Sequence, residues 1–460
     1  MPLRDLVLLM ILVGSVPVIL LRPWIGVLLW YWIGLMNPHR LTWGFMYHFP
    51  AAMLIGGCTL IGLMLARDRR PPPLSKESVL LVAMAVWFTL TTAFAWVPSM
   101  AWDYWEQAMK ILAFTLVTTM LIHGRQRTEW LMIVIAGSLA FYGAKGGLFT
   151  VMTGGQYRVK GPAESFIGGN TSLGLAMLMT VPLILVLARQ ARAGRLACLP
   201  DRPWVRLAGM GGYASFWLTG MSTAFTYSRG ALLGLASIAP FLFLRMRYKP
   251  VLFGLAVAGF SSLAVMVPNK LIERAEIIRN YEENKSAMQR IQAWGVNLNI
   301  ALEHPLGAGF HLEYGGNERW LSYANFRGEW PNESRVAHSN YFQVLGQHGF
   351  VGLFLYVSLL VGILASLFRL SRAARTRPDT AWISEYAWAL CVGTIGYAVA
   401  GAFLNLAYFT LFYAFVAGTM VLRREYAMAI DNAAAEEPEA ASAIDSSLAH
   451  QAPVQGSRTP

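Results

Sequence analysis

The feature that most constrains this chain is a series of long apolar stretches separated by short segments rich in arginine. A bilayer core about 30 Å thick is crossed by roughly 20 apolar residues in α-helix. Stretches of that kind lie at 51–66, 79–97, 105–122, 129–152, 170–188, 205–226, 229–245, 250–267, 349–368, 383–402 and 404–422. Two shorter runs, 6–21 and 24–36, precede them and are split by Arg22-Pro23. The apolar residues are continuous rather than alternating, which argues against a β-barrel. Charged residues make up only 13 % of the 460 and hydrophobic residues 56 %, whereas soluble domains carry about 25 % and 45–50 %. A soluble enzyme, a disordered chain and a fibrous rod are excluded. The pattern predicts an all-α polytopic membrane protein with about 12 transmembrane helices and one large extracytoplasmic loop that itself contains helices.

The formal charge of +12 is not a nucleic-acid footprint. Its arginines and lysines cluster at 67–76, 125–127, 189–206, 245–249, 369–377 and 423–424. Two apolar stretches separate each successive pair of clusters, so all six face one side. The positive-inside rule makes that side the cytoplasm. The organisation is then N-terminal transmembrane helices over 1–267, a large periplasmic loop over 268–348, C-terminal transmembrane helices over 349–424 and a disordered cytoplasmic tail over 425–460. The tail is expected to be disordered because its Ala, Glu, Pro and Ser residues lack a periodic apolar face. The N-terminus has two solutions. Three separate runs before Arg67 put Arg4 outside; a single crossing by 6–36 in two pieces puts Arg4 inside and gives the total of twelve. The segment Met1 to Leu21 lacks a small-x-small cleavage site and reads as a retained first helix. Cys58, Cys198 and Cys391 show no disulfide or metal spacing.

Within 268–348 the apolar spacing of Leu271 to Leu302 is helical, and His304-Pro305-Leu306-Gly307 ends that helix. Residues 311–337 read as irregular and aromatic-rich, with Tyr314, Trp320, Tyr323, Phe326 and Trp330. No Walker loop, HExxH or G-x-S-x-G is present. Attention therefore falls on ionisable residues of the non-cytoplasmic face. Arg229 lies in Thr226-Tyr227-Ser228-Arg229-Gly230, a tight corner between two apolar helices. It suits an interfacial snorkelling role and equally an anion-binding one, because guanidinium grips phosphate oxygens bidentately. Arg290 sits mid-helix and reads as a charge on a solvated helix face. His338, in Ala337-His338-Ser339-Asn340-Tyr341 just before membrane re-entry, reads as an interfacial residue or a general base. Arg335, Arg158 and Lys160 are secondary candidates on the same face, the last two in a short loop where the topology rule does not expect positive charge; Arg319 and Arg327 read as ordinary loop charges beside Glu318 and Glu329.

Several of these pieces together resemble the O-antigen ligase superfamily, which also contains O-antigen polymerases and protein O-glycosylation ligases. They are Tyr227-Ser228-Arg229-Gly230-Ala231, Arg290 with Trp294 ahead of His304-Pro305-Leu306-Gly307-Ala308-Gly309, and His338-Ser339-Asn340-Tyr341 leading to Gly349-Phe350-Val351-Gly352. The resemblance covers roughly residues 1–425. The stretch Arg22-Pro23-Trp24, followed by Asn37-Pro38-His39-Arg40-Leu41-Thr42-Trp43-Gly44, resembles the O-glycosylation ligases associated with exosortase systems. The resemblance implies a glycosyltransferase of a bacterial inner membrane. Such an enzyme moves a glycan from a polyprenyl-diphosphate carrier to a hydroxyl of a glycan, lipid or protein acceptor on the periplasmic face, without cofactor or metal. Arg229 and Arg290 would bind the diphosphate and His338 would act as the catalytic base, with inversion at the anomeric carbon. A polysaccharide polymerase shares this donor chemistry. A transporter of lipid-linked glycans is the reading from another class; its sites usually lie near the midplane in repeated halves.

Overall fold

The computed structural model describes residues 2–246, 285–325 and 333–450, and the elements among them are helices. They are α1 (Leu3–Leu21), α2 (Pro23–Met36), α3 (Ala51–Leu65), α4 (Lys76–Ala93), α5 (Pro98–Leu121), α6 (Gly124–Met152), α7 (Asn170–Arg192), α8 (Pro203–Ala224) and α9 (Arg229–Arg245). After the undescribed interval come α10 (Lys285–Glu303), the short α11 (Asn317–Ser322), α12 (Asn340–Ala373), α13 (Ala381–Gly401) and α14 (Thr410–His450). Among the described residues six helices, α1, α4, α6, α7, α12 and α13, are long and apolar enough to cross a membrane; α2 and α3 are shorter apolar helices. The expected span 250–267 lies outside the described residues, as do 268–284 of the expected loop.

The apolar character of α7 all round its circumference places it at the centre, with nearly all of its surface buried. Its neighbours approach closely because small residues line the contacts. A Cβ on Gly143 or Gly147 of α6 would fall 2.1 Å from Thr219 Oγ1 or 2.4 Å from the Leu218 carbonyl of α8. Outer helices leave large apolar side chains such as Met64, Val86 and Phe354 exposed, as lipid-facing surfaces require.

Contacts gather the basic segments at one end of the bundle. Arg127 pairs with Asp68 at 2.7 Å, Arg125 donates to the Arg195 carbonyl, Arg245 pairs with Glu385 at 2.7 Å, and Arg423 pairs with Glu77 at 2.6 Å. This end also holds the α1–α2 corner, where Arg127 stacks over Trp24. The helices α1 and α2 therefore form an antiparallel pair. Arg4 lies at the opposite end, donating to the Leu41 carbonyl at 3.2 Å and stacking on Trp43. The single two-piece crossing on which the count of twelve rests is corrected: Arg22-Pro23 is a hairpin corner, since Pro23 starts a new helix at N1.

Three further boundaries differ from the expectation. Pro98 opens α5, so residues 98–104, which lie between the apolar stretches 79–97 and 105–122, are its first turns. The last apolar helix begins at Thr410 rather than 404, because the backbone N–H groups of Leu406 and Ala407 are held by side chains of α12. That helix continues to His450, whereas a disordered tail was expected from 425; the Ala and Glu content of 432–437 supplies high helix propensity.

Candidate functional site

Arg229 is the first residue of α9. Ser228 caps that helix, its Oγ accepting from the Ala231 N–H at 3.3 Å. The corner before it is tightly held. Asn170 donates to the Thr226 carbonyl at 2.8 Å, and the Tyr227 hydroxyl donates to the Gly155 carbonyl at 2.5 Å. Tyr227 itself adopts a left-handed backbone with φ 53°, a conformation a non-glycine residue keeps only where its surroundings enforce it. At Gly230 a Cβ would meet the Ala400 carbonyl of α13 at 3.2 Å. Arg229 is thus fixed at one end of α9, exposed, with Arg245 and the basic end at the other.

Arg290 and Trp294 lie one turn apart on α10, hence on one face. Trp294 Nε1 donates to the Ala337 carbonyl at 2.9 Å, and its ring stacks on Phe342 with centroids 5.3 Å apart. These contacts bring the turn of α10 that bears Arg290 against the residue preceding His338. His338 is half-buried and has φ 48°, the second left-handed non-glycine residue of the site. Past Ser339, Asn340 opens α12.

The electrostatics join the three residues. Burial, then the positive charge of Arg229, lowers the pKa of Arg290. Burial, then the charges of Arg290 and Arg335, lowers the pKa of His338. At neutral pH the imidazole is therefore neutral and can accept a proton. The mutual influence of Arg229 and Arg290, and of Arg290 and Arg335 on His338, groups these four residues at an end of the bundle that attracts anions. Arg335 pairs with Glu333 at 3.5 Å. It also lines a polar cavity of ≈ 10 Å³ with Glu313, Gln343, Gln347 and Asn405. Arg158 and Lys160 are exposed. Their loop packs on the same corner, the Val159 N–H donating to the Phe225 carbonyl at 3.2 Å. Among the described residues no hydrogen bond or ion pair ties either to the four-residue cluster.

The two glycine-bearing motifs of the sequence meet. Gly349 has φ 65° and interrupts α12, and a Cβ there would fall 2.0 Å from the Pro305 carbonyl. The break frees carbonyls at the end of the first helical segment. Those of Gly346 and Gln347 accept from Ala308 and Gly309 N–H, each at 2.9 Å, and that of His348 accepts from Trp87 Nε1 at 2.8 Å. His304-to-Gly309 is thus a buttress under the segment that starts beside His338. His304 bonds the Tyr323 hydroxyl at 2.8 Å and His311 bonds Glu313 at 2.9 Å. Trp320 is buried and so is a packing residue rather than a sugar platform. Arg319, read as an ordinary loop charge, lies 4.0 Å from the Trp96 ring. Arg327, Phe326 and Trp330 lie outside the described residues.

Sequence reasoning missed one set of positioning residues. Asn340, Gln343 and Gln347 form a polar stripe on the first segment of α12. They accept from Leu406 N–H, Ala407 N–H and the Tyr408 hydroxyl at 2.7, 3.2 and 2.9 Å. Their spacing of three and four in an apolar context was the available signal.

The fold and the apolar helices define a multi-pass helical membrane protein with a cationic cluster at one end. Residues 214–357 match the family model described as O-antigen ligase, and residues 3–192 match a family of unknown function. The first match contains Arg229, Arg290, Arg335 and His338 and supports a glycosyltransferase activity of the ligase or polymerase type. No match was found among curated proteins.

Proposed function

We propose that the protein transfers a glycan from a polyprenyl-diphosphate carrier to an acceptor hydroxyl on the periplasmic face of a bacterial inner membrane, with inversion and without a metal. The observation that carries this reading is the Trp294–Ala337 hydrogen bond, which holds the Arg290 turn of α10 beside His338, with Arg229 close enough to act on Arg290. In the reaction the acceptor oxygen attacks the anomeric carbon and its proton passes to a ring nitrogen of His338. The C–O bond to the diphosphate breaks, and its electron pair stays on the leaving oxygen. Arg229 and Arg290 stabilise the charge that develops there. Neutral His338 is the form that accepts the proton; burial, then Arg290 and Arg335, keeps it neutral, and Arg290 also holds the leaving group. Arg335 is a secondary contact to donor or acceptor, and Arg158 and Lys160 would meet the acceptor from the adjoining loop. The residues gather at one end of the helices rather than at mid-bundle, which supports an enzyme over a transporter. The acceptor is a glycan, lipid or protein hydroxyl. The finer assignment, to the O-glycosylation ligases associated with exosortase systems, is supported by the stretch 22–44.

The test pairs a transfer assay with a donor-binding assay in purified protein. Arg229→Ala and Arg290→Ala should each lower transfer by about 10²–10³-fold, with poor rescue by lysine, which lacks the bidentate fork. His338→Ala should lower transfer severely and leave donor binding intact. Full transfer in both arginine variants refutes the diphosphate site. Loss of donor binding in step with transfer in His338→Ala refutes the base.

A further inference from the structure

At the basic end, far from Arg229 and His338, the first turns of α4, the last turns of α12 and the middle of α14 enclose a groove of ≈ 610 Å³. Lys76 and Leu80 line it from α4, Gly362 and Arg369 from α12, and Arg423 and Tyr426 from α14. Among the described residues its acid is Glu77, which is buried and already engaged. Arg423 reaches both carboxylate oxygens at 2.6 and 2.7 Å, and Ser366 donates to one of them at 2.9 Å. Lys76 has no hydrogen-bond or ion-pair partner among the described residues. Arg369 donates through Nε to the Ala365 carbonyl at 3.2 Å and has no ion-pair partner among the described residues. Among the described residues the groove therefore carries three cations against one anion, and two of those cations meet no carboxylate.

A topological excess of positive charge accounts for the sign of these residues but not for their convergence. Topology is satisfied by cations in loops, whereas these sit on three helix faces around a common space. Beyond the charged rim the wall is apolar, with Leu80, Gly362 and Leu370. Val79 and Phe368, beside groove residues on α4 and α12, are exposed apolar side chains, so the groove opens onto a surface that hydrocarbon covers. Cations at the membrane interface above an apolar slot fit a ligand with a phosphate head and acyl chains. Glu77 orients the Arg423 guanidinium and leaves part of its fork free, since that side chain remains 43 % exposed.

We propose that this groove binds one anionic phospholipid of the surrounding leaflet, its phosphate held by Lys76, Arg369 and Arg423 and its chains lying along Leu80 and Gly362. The proposal is independent of the transfer chemistry. The full chain is to be examined by native mass spectrometry with dioleoylphosphatidylglycerol and, separately, dioleoylphosphatidylcholine. The wild type should retain the anionic lipid preferentially. Lys76→Ala with Arg369→Ala should bind it about 30-fold more weakly, the effect of two lost interfacial cations, while Lys76→Arg with Arg369→Lys should retain it. Leu80→Trp, which fills the slot without changing charge, should also weaken binding, so the outcome does not depend on the alanine pair folding. Undiminished anionic-lipid binding in either the alanine pair or Leu80→Trp overturns the proposal. So does complete displacement of the lipid by inorganic phosphate, which would mark a free-anion site, or a dimer through this groove that persists in the zwitterionic lipid.

Discussion

Trp294→Phe isolates the contact that sets His338 in place. The substitution removes the N–H that the Ala337 carbonyl accepts at 2.9 Å but keeps an aromatic ring to stack on Phe342, now at 5.3 Å and 5° between planes. Ala337 is 4 % exposed, so its carbonyl is left without a ready water partner, a cost of about 1–3 kcal/mol. His338 follows immediately in a left-handed conformation that persists only while its neighbours over-determine it. Relaxation of the peptide would shift the imidazole, and a displacement of about 1 Å lowers a positioned reaction by about 10²-fold. Arg290, one turn away on the same helix, keeps its place. The expected result is a transfer rate lower by about 10²-fold with unchanged donor affinity and a small loss of thermal stability. The assay is single-turnover transfer alongside donor binding and a thermal melt. A normal rate with a lowered melting point would refute the link between the Trp294 contact and His338. Loss of donor affinity equal to the loss of rate would show that Trp294 acts through Arg290 instead.

Three further outcomes follow from the geometry. Protonation of His338 removes the base, and burial with Arg290 and Arg335 favours its neutral form, so the acid limb of the transfer rate should lie below about pH 6.5. Arg335→Ala takes away one cation, raises the histidine pKa and should move that limb to higher pH; a shift to lower pH, measured in buffered transfer assays, contradicts the assignment. Gly349→Ala should destabilise the protein in thermal unfolding, since φ 65° with ψ −170° is a conformation open essentially to glycine and costs an L-residue about 1–3 kcal/mol, and the new Cβ would meet the Pro305 carbonyl at 2.0 Å; an unchanged midpoint would mean that the break in α12 is not held by residues 304–309. Compartment reporters at Asn317 and Ala434 should report opposite sides, and one before Arg4 should agree with Asn317, because Arg4 and the α1–α2 corner lie at opposite ends of the bundle. Agreement between Asn317 and Ala434 would overturn the topology.

Hydropathy and charge order are local properties, and they determined by themselves that this chain is helical and membrane-embedded, with its basic segments on one side. The residue types singled out at 229, 290 and 338 were legible for a similar reason: a cation or an imidazole on the less basic face needs an explanation. Whether these residues meet was not legible. Arg229 and Arg290 are 61 positions apart in the chain, and their approach depends on the seat of α9 against α13 and of Trp294 on Ala337. No periodicity encodes either contact. Hydropathy also could not decide the path of the first two runs, since a two-residue corner and a bent crossing have the same apolar profile; packing of α1 and α2 against α3 decided it. The onset of the last helix at Thr410 has the same origin. Residues 404–409 are apolar enough to read as helix, but Asn340 and Gln343 supply acceptors that outcompete the helical ones for the N–H groups of Leu406 and Ala407. Helix and strand preferences are summed over neighbours in sequence, whereas a backbone hydrogen bond goes to whichever acceptor the tertiary structure brings nearest.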